Sequence, residues 1–354
     1  MQGKRALVLI AVTAIATVGY TCQAAASSRL WSVVYASPKR GHDIDRIQRG
    51  GVRSVRWPLF WSLAEPAQGT FDWNAADRIV GGFALRGIRV LPTVYNTPSW
   101  AGKTAASPPV RSKHARSAWK KFLREAVQRY GPGGQFWTLY KVQHPGAPIV
   151  PIRAWQVWNE PNLDQYFAPH PSARRYGRLV RISHDAIKGR DPGARIVLAG
   201  MPGLAKLRAW KFLRRLYRVP HIKREFDEVA LHPYSPNIRL LRLEFRRMRA
   251  VMSSHGDGST QLWATELGWG SGSPRRSDLN KGLHGQARML RKSFEVIRHH
   301  RRQWHVAHVY WFQWRDPERD SPECPFCKRT GLIKHSGKAK PSWRAFRHFT
   351  GALP

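Results

Sequence analysis

The sequence predicts a single-domain (β/α)₈ TIM barrel, in which eight parallel strands are surrounded by helices. Eight short apolar runs alternate along the chain with eight segments of helical spacing. Loops after the runs are longer than loops before them, as in barrel enzymes, whose sites lie at the C-terminal ends of the strands. No shift in composition divides the chain, so we expect one domain over residues 28–354.

The predicted strands are short, almost entirely apolar and bounded by turn-forming residues. Parallel strands that are buried on both faces have this composition. In chain order they are Trp31–Tyr35, Val52–Trp57, Ile88–Val94, Ile152–Trp158, Arg195–Ala199, Glu228–Leu231, Gln261–Thr265 and Val306–Trp311.

The predicted helices lie between these runs and after the last of them. They are Asp43–Arg49, Trp73–Leu85, Ser117–Tyr130, Ser172–Lys188, Lys206–Arg218, Ile238–Ser253, Lys281–His300 and Trp343–Phe349. The segment Gly131–Pro151 is rich in Gly and Pro, which predicts an irregular link into the fourth strand.

The N-terminus has the features of a secretory signal peptide. Lys4 and Arg5 precede an apolar run, and three alanines ending at Ala26 follow it. The run is shorter than the roughly 20 residues that a membrane-spanning helix needs. We therefore expect residues 1–26 to be a signal peptide and the mature protein to be secreted. A retained membrane anchor and a lipoprotein attached through Cys22 are the alternatives.

The chain is strongly basic, with 60 Lys and Arg against 22 Asp and Glu and a formal net charge of +38. Such a charge attracts polyanions. The basic residues are scattered over nearly all predicted helices, as at Arg242, Arg246 and Arg247, and no single stripe or nucleic-acid motif stands out. We expect a solvated surface with nonspecific contact to anionic cell surfaces or polymers, and no specific nucleic-acid partner.

Cys324 and Cys327 are the two cysteines of the predicted mature chain. In an exported protein, such a pair is expected to form a disulfide that fixes a loop. A zinc site would need further ligands, and His335 alone is near in sequence. The histidines lack metal-binding spacing. We expect neither a metal nor a cofactor.

Two strand ends carry carboxylates. The run Ile152–Asn162 is apolar until Asn159 and Glu160, and Gln261–Trp269 carries Glu266 in the same place. Because reactive side chains of parallel α/β proteins collect at the C-terminal strand ends, the pair suggests acid chemistry shared by two carboxyl groups.

Strand alternation predicts which neighbours face the same way. With Glu160 pointing into the barrel mouth, Gln156 and Trp158 share its face. With Glu266 pointing inward, Trp263 faces outward. The same rule puts His232 with Tyr234, and Arg56 with Ser54, so that all of these polar groups can project into one mouth.

These motifs resemble those of retaining clan A glycoside hydrolases, with the family 5 and family 39 types most similar. Trp158-Asn-Glu-Pro161 is similar to their acid/base motif at the fourth strand, and Thr265-Glu-Leu-Gly-Trp269 to their nucleophile motif at the seventh. The supporting matches, in the same order along the chain, are Val55-Arg-Trp57, Leu91-Pro92, Thr97-Pro-Ser-Trp100, Leu231-His-Pro-Tyr234, Gly331-Leu332 and Lys340-Pro-Ser-Trp343.

The resemblance implies a role for each matching residue. Glu160 would be the general acid and then the general base, and Glu266 the nucleophile. Asn159 would bind the sugar 2-hydroxyl. Retention of configuration would require the two carboxyl groups to lie about 5–5.5 Å apart.

The remaining matches imply supporting roles around the two carboxylates. Arg56 and Tyr234 would hold Glu266, and His232 would support the sugar subsite. Two tryptophans of the last strand are candidates for stacking on the sugar, Trp311 first and Trp314 second. Trp100 and Trp61 are candidate platforms in loops, with packing as the alternative for each.

We therefore predict a secreted, monomeric glycosidase that hydrolyses a poly- or oligosaccharide by double displacement. The alternative is a non-catalytic carbohydrate-binding or cell-surface adhesion barrel. The substrate linkage and endo or exo action depend on loop shapes that one sequence does not reveal.

Overall fold

The computed structural model describes residues 30–36, 42–318, 324 and 326–353. The predicted signal peptide, residues 1–26, lies outside the described residues. Within the described ranges, no helix is long and apolar enough to cross a membrane.

Eight parallel strands close into a barrel, so the predicted fold is confirmed. Each strand pairs with its neighbours in sequence, and the first pairs with the last, with Trp31 beside Val309. The strands are β1 Trp31–Val34, β2 Ser54–Phe60, β3 Arg89–Tyr95, β4 Ala154–Val157, β5 Arg195–Leu198, β6 Glu228–Leu231, β7 Gln261–Leu267 and β8 Val306–Trp311.

Helices surround the barrel. They are α1 Asp43–Arg49, α2 Trp61–Ala64, α3 Asn74–Ala84, α4 Lys113–Tyr130, α5 Gln135–Gln143, α6 Ala173–Lys188, α7 Ala209–Tyr217, α8 Ile238–Ser254, α9 Gly282–His300 and α10 Pro341–Phe349. All eight predicted helices are present, several with shifted ends.

The segment Gly131–Pro151 is not wholly irregular, because it contains helix α5. Its Gly and Pro residues lie at the two ends, while Trp137 and Tyr140 are buried. Helix α4 begins four residues before its prediction. There the Ser112 hydroxyl accepts a hydrogen bond from Ala115 N at 3.0 Å, which satisfies one free donor of the first turn.

Two hydrophobic cores stabilise the barrel. The larger one fills the layer between the strands and the helices. The smaller one fills the barrel interior and consists of Val34, Leu91, Val197, Ala230, Trp263 and Tyr310. Because this interior is filled with side chains, a ligand can enter only above it, at the C-terminal ends of the strands.

A disulfide joins Cys324 and Cys327, as predicted, with their Cα atoms 5.3 Å apart. The bridge lies after β8, beside the barrel mouth. Phe326, between the two cysteines, packs edge-on against Tyr234 with ring centroids 5.2 Å apart. The disulfide therefore belongs to the wall of the mouth.

Candidate active site

Glu160 and Glu266 meet at the C-terminal mouth of the barrel. Glu160 follows β4, and Glu266 lies near the end of β7; both side chains are largely buried. One carboxylate oxygen of each, together with a nitrogen of His232, lie within 4.8 Å of one another. The two carboxyl groups are thus close enough to act on a single bond.

Two hydrogen bonds hold Glu266 by both oxygens. Arg56 Nη1 donates to Oε1 at 2.6 Å, and the Tyr234 hydroxyl donates to Oε2 at 2.6 Å. Both donors favour the ionised carboxylate. Burial and the charge of Glu266 raise the pKa of Tyr234 well above its ordinary value, so the phenol keeps its proton and remains a donor.

Arg56 also positions two other residues of the mouth. Its Nε donates to Gln156 Oε1 at 2.5 Å, and its Nη2 donates to Asn159 Oδ1 at 2.8 Å. The planar guanidinium therefore ties β2 to β4 and β7. Since Oδ1 of Asn159 accepts from Arg56, the Nδ2 donor of that amide is turned away from the arginine.

Glu160 has a different environment. Burial raises its pKa well above 4.5, the nearby charge of Glu266 raises it further, and Arg56 opposes the shift. His232 Nδ1 lies 2.7 Å from Glu160 Oε1. Burial lowers the pKa of His232 well below 6.5, so the imidazole is neutral. Burial therefore favours the protonated form of Glu160, while its neighbour Glu266 is held by two hydrogen-bond donors.

The hydrogen-bond partners of His232 favour one tautomer of its imidazole ring. Gln156 Oε1 accepts from Arg56, which can only donate, so Gln156 Nε2 donates to Leu198 O at 3.0 Å and to Thr265 Oγ1 at 3.0 Å. The Thr265 hydroxyl accepts from Gln156, and we assign its own proton to the hydrogen bond with His232 Nε2, 3.1 Å away. The remaining ring proton is then on Nδ1, where it faces Glu160 Oε1.

It follows that His232 donates to Glu160 whenever Glu160 is ionised. A donor to a carboxylate lowers its pKa, which limits the upward shift caused by burial. Thr265 and Gln156 do not reach the cavity with a free group; they act through His232 and Arg56 as positioning residues.

Gly200, just after β5, leaves the space that His232 occupies. A Cβ there would lie 1.9 Å from His232 Nε2 and 2.5 Å from Thr265 Oγ1. The Gly200 carbonyl also accepts from Glu160 N at 3.1 Å. This backbone contact fixes Glu160, whose φ of 43° lies in the left-handed region. Such conformations cost about 1–3 kcal/mol and are concentrated at functional sites.

A cavity of about 370 Å³ lies above the two carboxylates. This volume is within the usual range of small-molecule sites. Its wall is rich in aromatic side chains, and Arg56 is the one basic residue in it within the described chain. Apart from the polar network, the rings and smaller residues that line it include Phe60, Tyr95, Leu163, Tyr166, Pro202, Phe312 and Phe326.

The predicted tryptophan platforms do not line this cavity. Trp311 is fully buried and donates to Thr330 O at 3.0 Å, and Trp314 is buried against Trp343. β8 ends at Trp311 with that side chain toward the helices, which brings the next residue, Phe312, to the cavity. The prediction for Trp311 is therefore corrected in favour of Phe312.

Trp61, at the start of α2, and Trp100, in the segment after β3, pack against each other. Trp100 donates to Glu65 O at 3.1 Å and lies edge-on to Trp61, with ring centroids 5.5 Å apart. Trp61 is fully buried. Packing is thus the role that the structure gives to Trp100 and Trp61.

Two of the side-chain orientations predicted from strand alternation are wrong. Trp158 does not share the face of Glu160; its φ is 75°, and its ring contacts Trp119 of α4. Trp263 points into the barrel interior rather than outward. β7 reaches Glu266 through a register shift between Ala264 and Leu267, which breaks strict alternation.

Arg56, Asn159, His232 and Tyr234 are all brought to the mouth, as the sequence placed them. Two important residues were not assigned from the sequence, Gln156 and Thr265. A buried amide in an otherwise apolar strand must find partners, which was the signal available for Gln156.

Glu160, His232 and Glu266 also have the composition of a metal site. Arg56, however, already lies 2.6 Å from Glu266 and supplies the counter-charge, and a cation beside it would meet a like charge. A second group, His184, Asp185 and Glu225, lies on the outer surface with partly exposed side chains.

The sequence matches no protein-family model and no curated protein. Solved structures share its fold. A family 39 glycoside hydrolase from Bacteroides cellulosilyticus aligns with a TM-score of 0.66 at 19% identity, over 92% of this chain and 64% of that one. A monomeric β-xylosidase from Caulobacter crescentus aligns with a TM-score of 0.66 at 20% identity, over 90% and 67%.

A family 10 enzyme from Paenibacillus barcinonensis aligns over 94% of this chain and 97% of its own, with a TM-score of 0.62 at 15% identity. The resemblance to barrel glycoside hydrolases is therefore confirmed for the fold. The chain spans less than two-thirds of the Bacteroides enzyme.

Proposed function

We propose that this protein is a retaining glycosidase that hydrolyses O-glycosidic bonds by double displacement. The observation that carries the proposal is the unequal environment of two neighbouring carboxyl groups. Arg56 and Tyr234 each donate a hydrogen bond to Glu266, as a nucleophilic carboxylate requires, while burial and Glu266 favour a protonated Glu160. Their separation, within 4.8 Å for one oxygen of each, supports retention, since inverting enzymes need about 6.5–9.5 Å for a water molecule.

In the first step, Glu266 attacks the anomeric carbon while Glu160 gives its proton to the glycosidic oxygen. The bond from the anomeric carbon to that oxygen breaks, and the aglycone leaves as an alcohol. The sugar remains as an ester of Glu266. Asn159, oriented by Arg56, would donate to the sugar 2-hydroxyl oxygen.

In the second step, the ionised Glu160 removes a proton from a water molecule, whose oxygen attacks the anomeric carbon. The ester bond breaks and its electrons return to Glu266. The hydrogen bond from His232 supports Glu160 in this ionised state. Two inversions at one carbon give net retention.

Substitution of the two carboxylates tests the proposal. Glu266→Gln is expected to abolish turnover of aryl glycosides. Glu160→Gln should lower kcat/KM by about 10²–10⁴-fold for substrates with poor leaving groups and much less for activated ones, because a good leaving group needs no proton in the first step. Wild-type rates in either variant would refute the assignment.

Azide separates the roles of the two residues. In Glu160→Ala, azide should restore turnover of an activated aryl glycoside and give a glycosyl azide of the same anomeric configuration as the substrate. With azide, Glu266→Ala should give only a glycosyl azide of the opposite anomeric configuration to the substrate. Glycan binding without hydrolysis on a broad panel would favour the carbohydrate-binding alternative.

We further propose that the mature enzyme is a secreted monomer cleaved after Ala26. The disulfide between Cys324 and Cys327 supports an oxidising compartment. Expression of the full chain in a secreting host, followed by N-terminal sequencing and mass measurement in solution, tests cleavage and oligomeric state together.

A further inference from the structure

A surface groove between α6 and α7 is lined by five exposed arginines. It has a volume of about 700 Å³. The sequence indicated scattered charges without a single stripe, but the packing of two helices brings these arginines together. They are Arg174, Arg178 and Arg181 on α6, and Arg215 and Arg218 on or next to α7.

The geometry of the two helices explains the grouping. Arg174, Arg178 and Arg181 follow helical spacing and lie along one face of α6. The helices approach closely because Gly177 has no side chain; a Cβ there would lie 3.1 Å from Val219 Cγ1. The arginines of α7 are thereby held opposite those of α6.

Carboxylates do not neutralise this groove. Arg181 pairs with Glu225 at 3.1 Å, and it also donates to Pro220 O at 2.7 Å. Over the described residues, no ion pair joins a carboxylate to Arg174, Arg178, Arg215 or Arg218. Like charges across a groove repel one another, and a bound anion would relieve that repulsion.

A neighbouring arginine shows what a purely structural role requires. Arg175 donates to Ala168 O at 2.8 Å and to the carbonyl of His170, and its guanidinium lies over Phe167. All of these contacts are within the loop before α6. By contrast, Arg174, Arg178, Arg215 and Arg218 have exposed side chains and no ion pair with a carboxylate among the described residues.

The groove begins close to the catalytic cavity. Tyr166 lines the cavity and His170 lines the groove. Three residues separate them in the sequence, so their Cα atoms lie at most about 14 Å apart. A glycan chain that leaves the cavity over this loop could therefore reach the arginines within a few sugar units.

We propose that the arginine groove binds an anionic glycan, a polysaccharide that carries carboxylate or sulfate groups at intervals. Guanidinium groups bind such anions through paired hydrogen bonds. The choice of a glycan over other polyanions rests on the proposed glycosidase function. The neutral, aromatic cavity would hold the sugar that is cleaved, and the groove would hold acidic groups farther along the chain.

Binding is measured in the Glu266→Gln background, so that hydrolysis cannot interfere. The groove variant carries Arg174→Gln, Arg178→Gln and Arg215→Gln. The control variant carries Arg242→Gln, Arg246→Gln and Arg247→Gln, three exposed arginines of α8 with the same loss of charge. The probes are polygalacturonate, dextran sulfate, neutral dextran and duplex DNA at about 0.15 M salt.

The groove substitutions should raise the Kd for polygalacturonate or dextran sulfate about tenfold, because each exposed ion pair is weak and three are removed together. The control substitutions should raise the same Kd about twofold or less. Equal losses in both variants would show diffuse attraction and overturn the proposal. Absence of acidic-glycan binding in the parent would also overturn it. The proposal would also be overturned if the parent bound duplex DNA more tightly than the acidic glycans and the groove variant lost DNA binding to the same extent as glycan binding.

The outcome is separable from that of the proposed function. Hydrolysis of aryl glycosides by the unsubstituted enzyme and by the α8 control tests the catalytic proposal alone. Hydrolysis of aryl glycosides together with equal Kd changes in the groove and control variants would support the proposed glycosidase function and refute the proposed glycan binding by the groove.

Discussion

At the scale of single residues, Thr265 sets the proton on His232 and through it the acidity of Glu160. Thr265→Val removes the hydroxyl that donates to His232 Nε2, so the ring can place its proton there and present Nδ1 as an acceptor. Glu160 then loses a donor to its ionised form, and its pKa rises. We expect the basic limb of the kcat/KM profile to move to higher pH by about one to two units, which corresponds to the loss of one hydrogen bond to a charged group.

The matched control is Thr265→Ser, which keeps the hydroxyl and should keep the profile. A Thr265→Val profile that coincides with the wild type, at any reduced rate, would contradict the assigned tautomer. A purely structural role of Thr265 would lower the rate without moving the limb.

Glu160 also makes the fold less stable at neutral pH. Its pKa is raised above 4.5, so the folded state binds the proton more tightly than the unfolded chain. The contribution of Glu160 to stability is then fully present below pH 4.5 and is lost as the pH rises through the raised pKa. Glu160→Gln, which cannot ionise, should raise the Tm at pH 8 by about 1–2 °C per kcal/mol recovered.

At pH 5 the gain from Glu160→Gln should be much smaller. Thermal unfolding followed by circular dichroism measures both values. Glu295→Gln, at an exposed position of α9, is the control and should show no such pH-dependent gain. An equal gain for Glu160→Gln at both pH values would refute the linkage.

At the scale of elements, the end of β5 limits what the site can accommodate. Gly200→Ala would place a Cβ 1.9 Å from His232 Nε2 and force the ring to move. Because misplacement of about 1 Å can cost about 10²-fold in rate, we expect a loss of kcat of that order. The control is Gly81→Ala in α3, where the nearest atom is Phe136 Cζ at 3.2 Å. The measurement is the steady-state kcat and the Tm of both variants. Full activity of Gly200→Ala would contradict the predicted clash with His232.

The elements also show what the sequence could and could not predict. Parallel strands buried on both faces leave long apolar runs, and all eight were found for that reason. The orientation of individual side chains was not accessible where alternation fails, at the bulge before Leu267 and at the left-handed Trp158. Strand ends are where such irregularities occur, so Phe312 was missed in favour of Trp311.

At the scale of the whole molecule, the net positive charge lies outside the candidate active site. The cavity wall holds Arg56 beside two carboxylates, whereas the net charge of +38 is carried outside the cavity. Local pairs inside the mouth are short and buried, so salt screens them little. Repulsion between exposed charges is screened over about 10 Å at 0.1 M salt.

The stability of the folded protein should therefore rise with ionic strength. Between about 0.05 and 0.5 M NaCl we expect the Tm to increase by a few degrees, because screening weakens the self-repulsion of a highly charged compact state. Arg242→Gln, Arg246→Gln and Arg247→Gln together should flatten this dependence, since they remove positive charge from α8. Calorimetric or circular-dichroism melts over a salt series provide the measurement. A Tm that falls with salt would instead show that screened attractive pairs, such as Arg129 with Asp77, outweigh the repulsion.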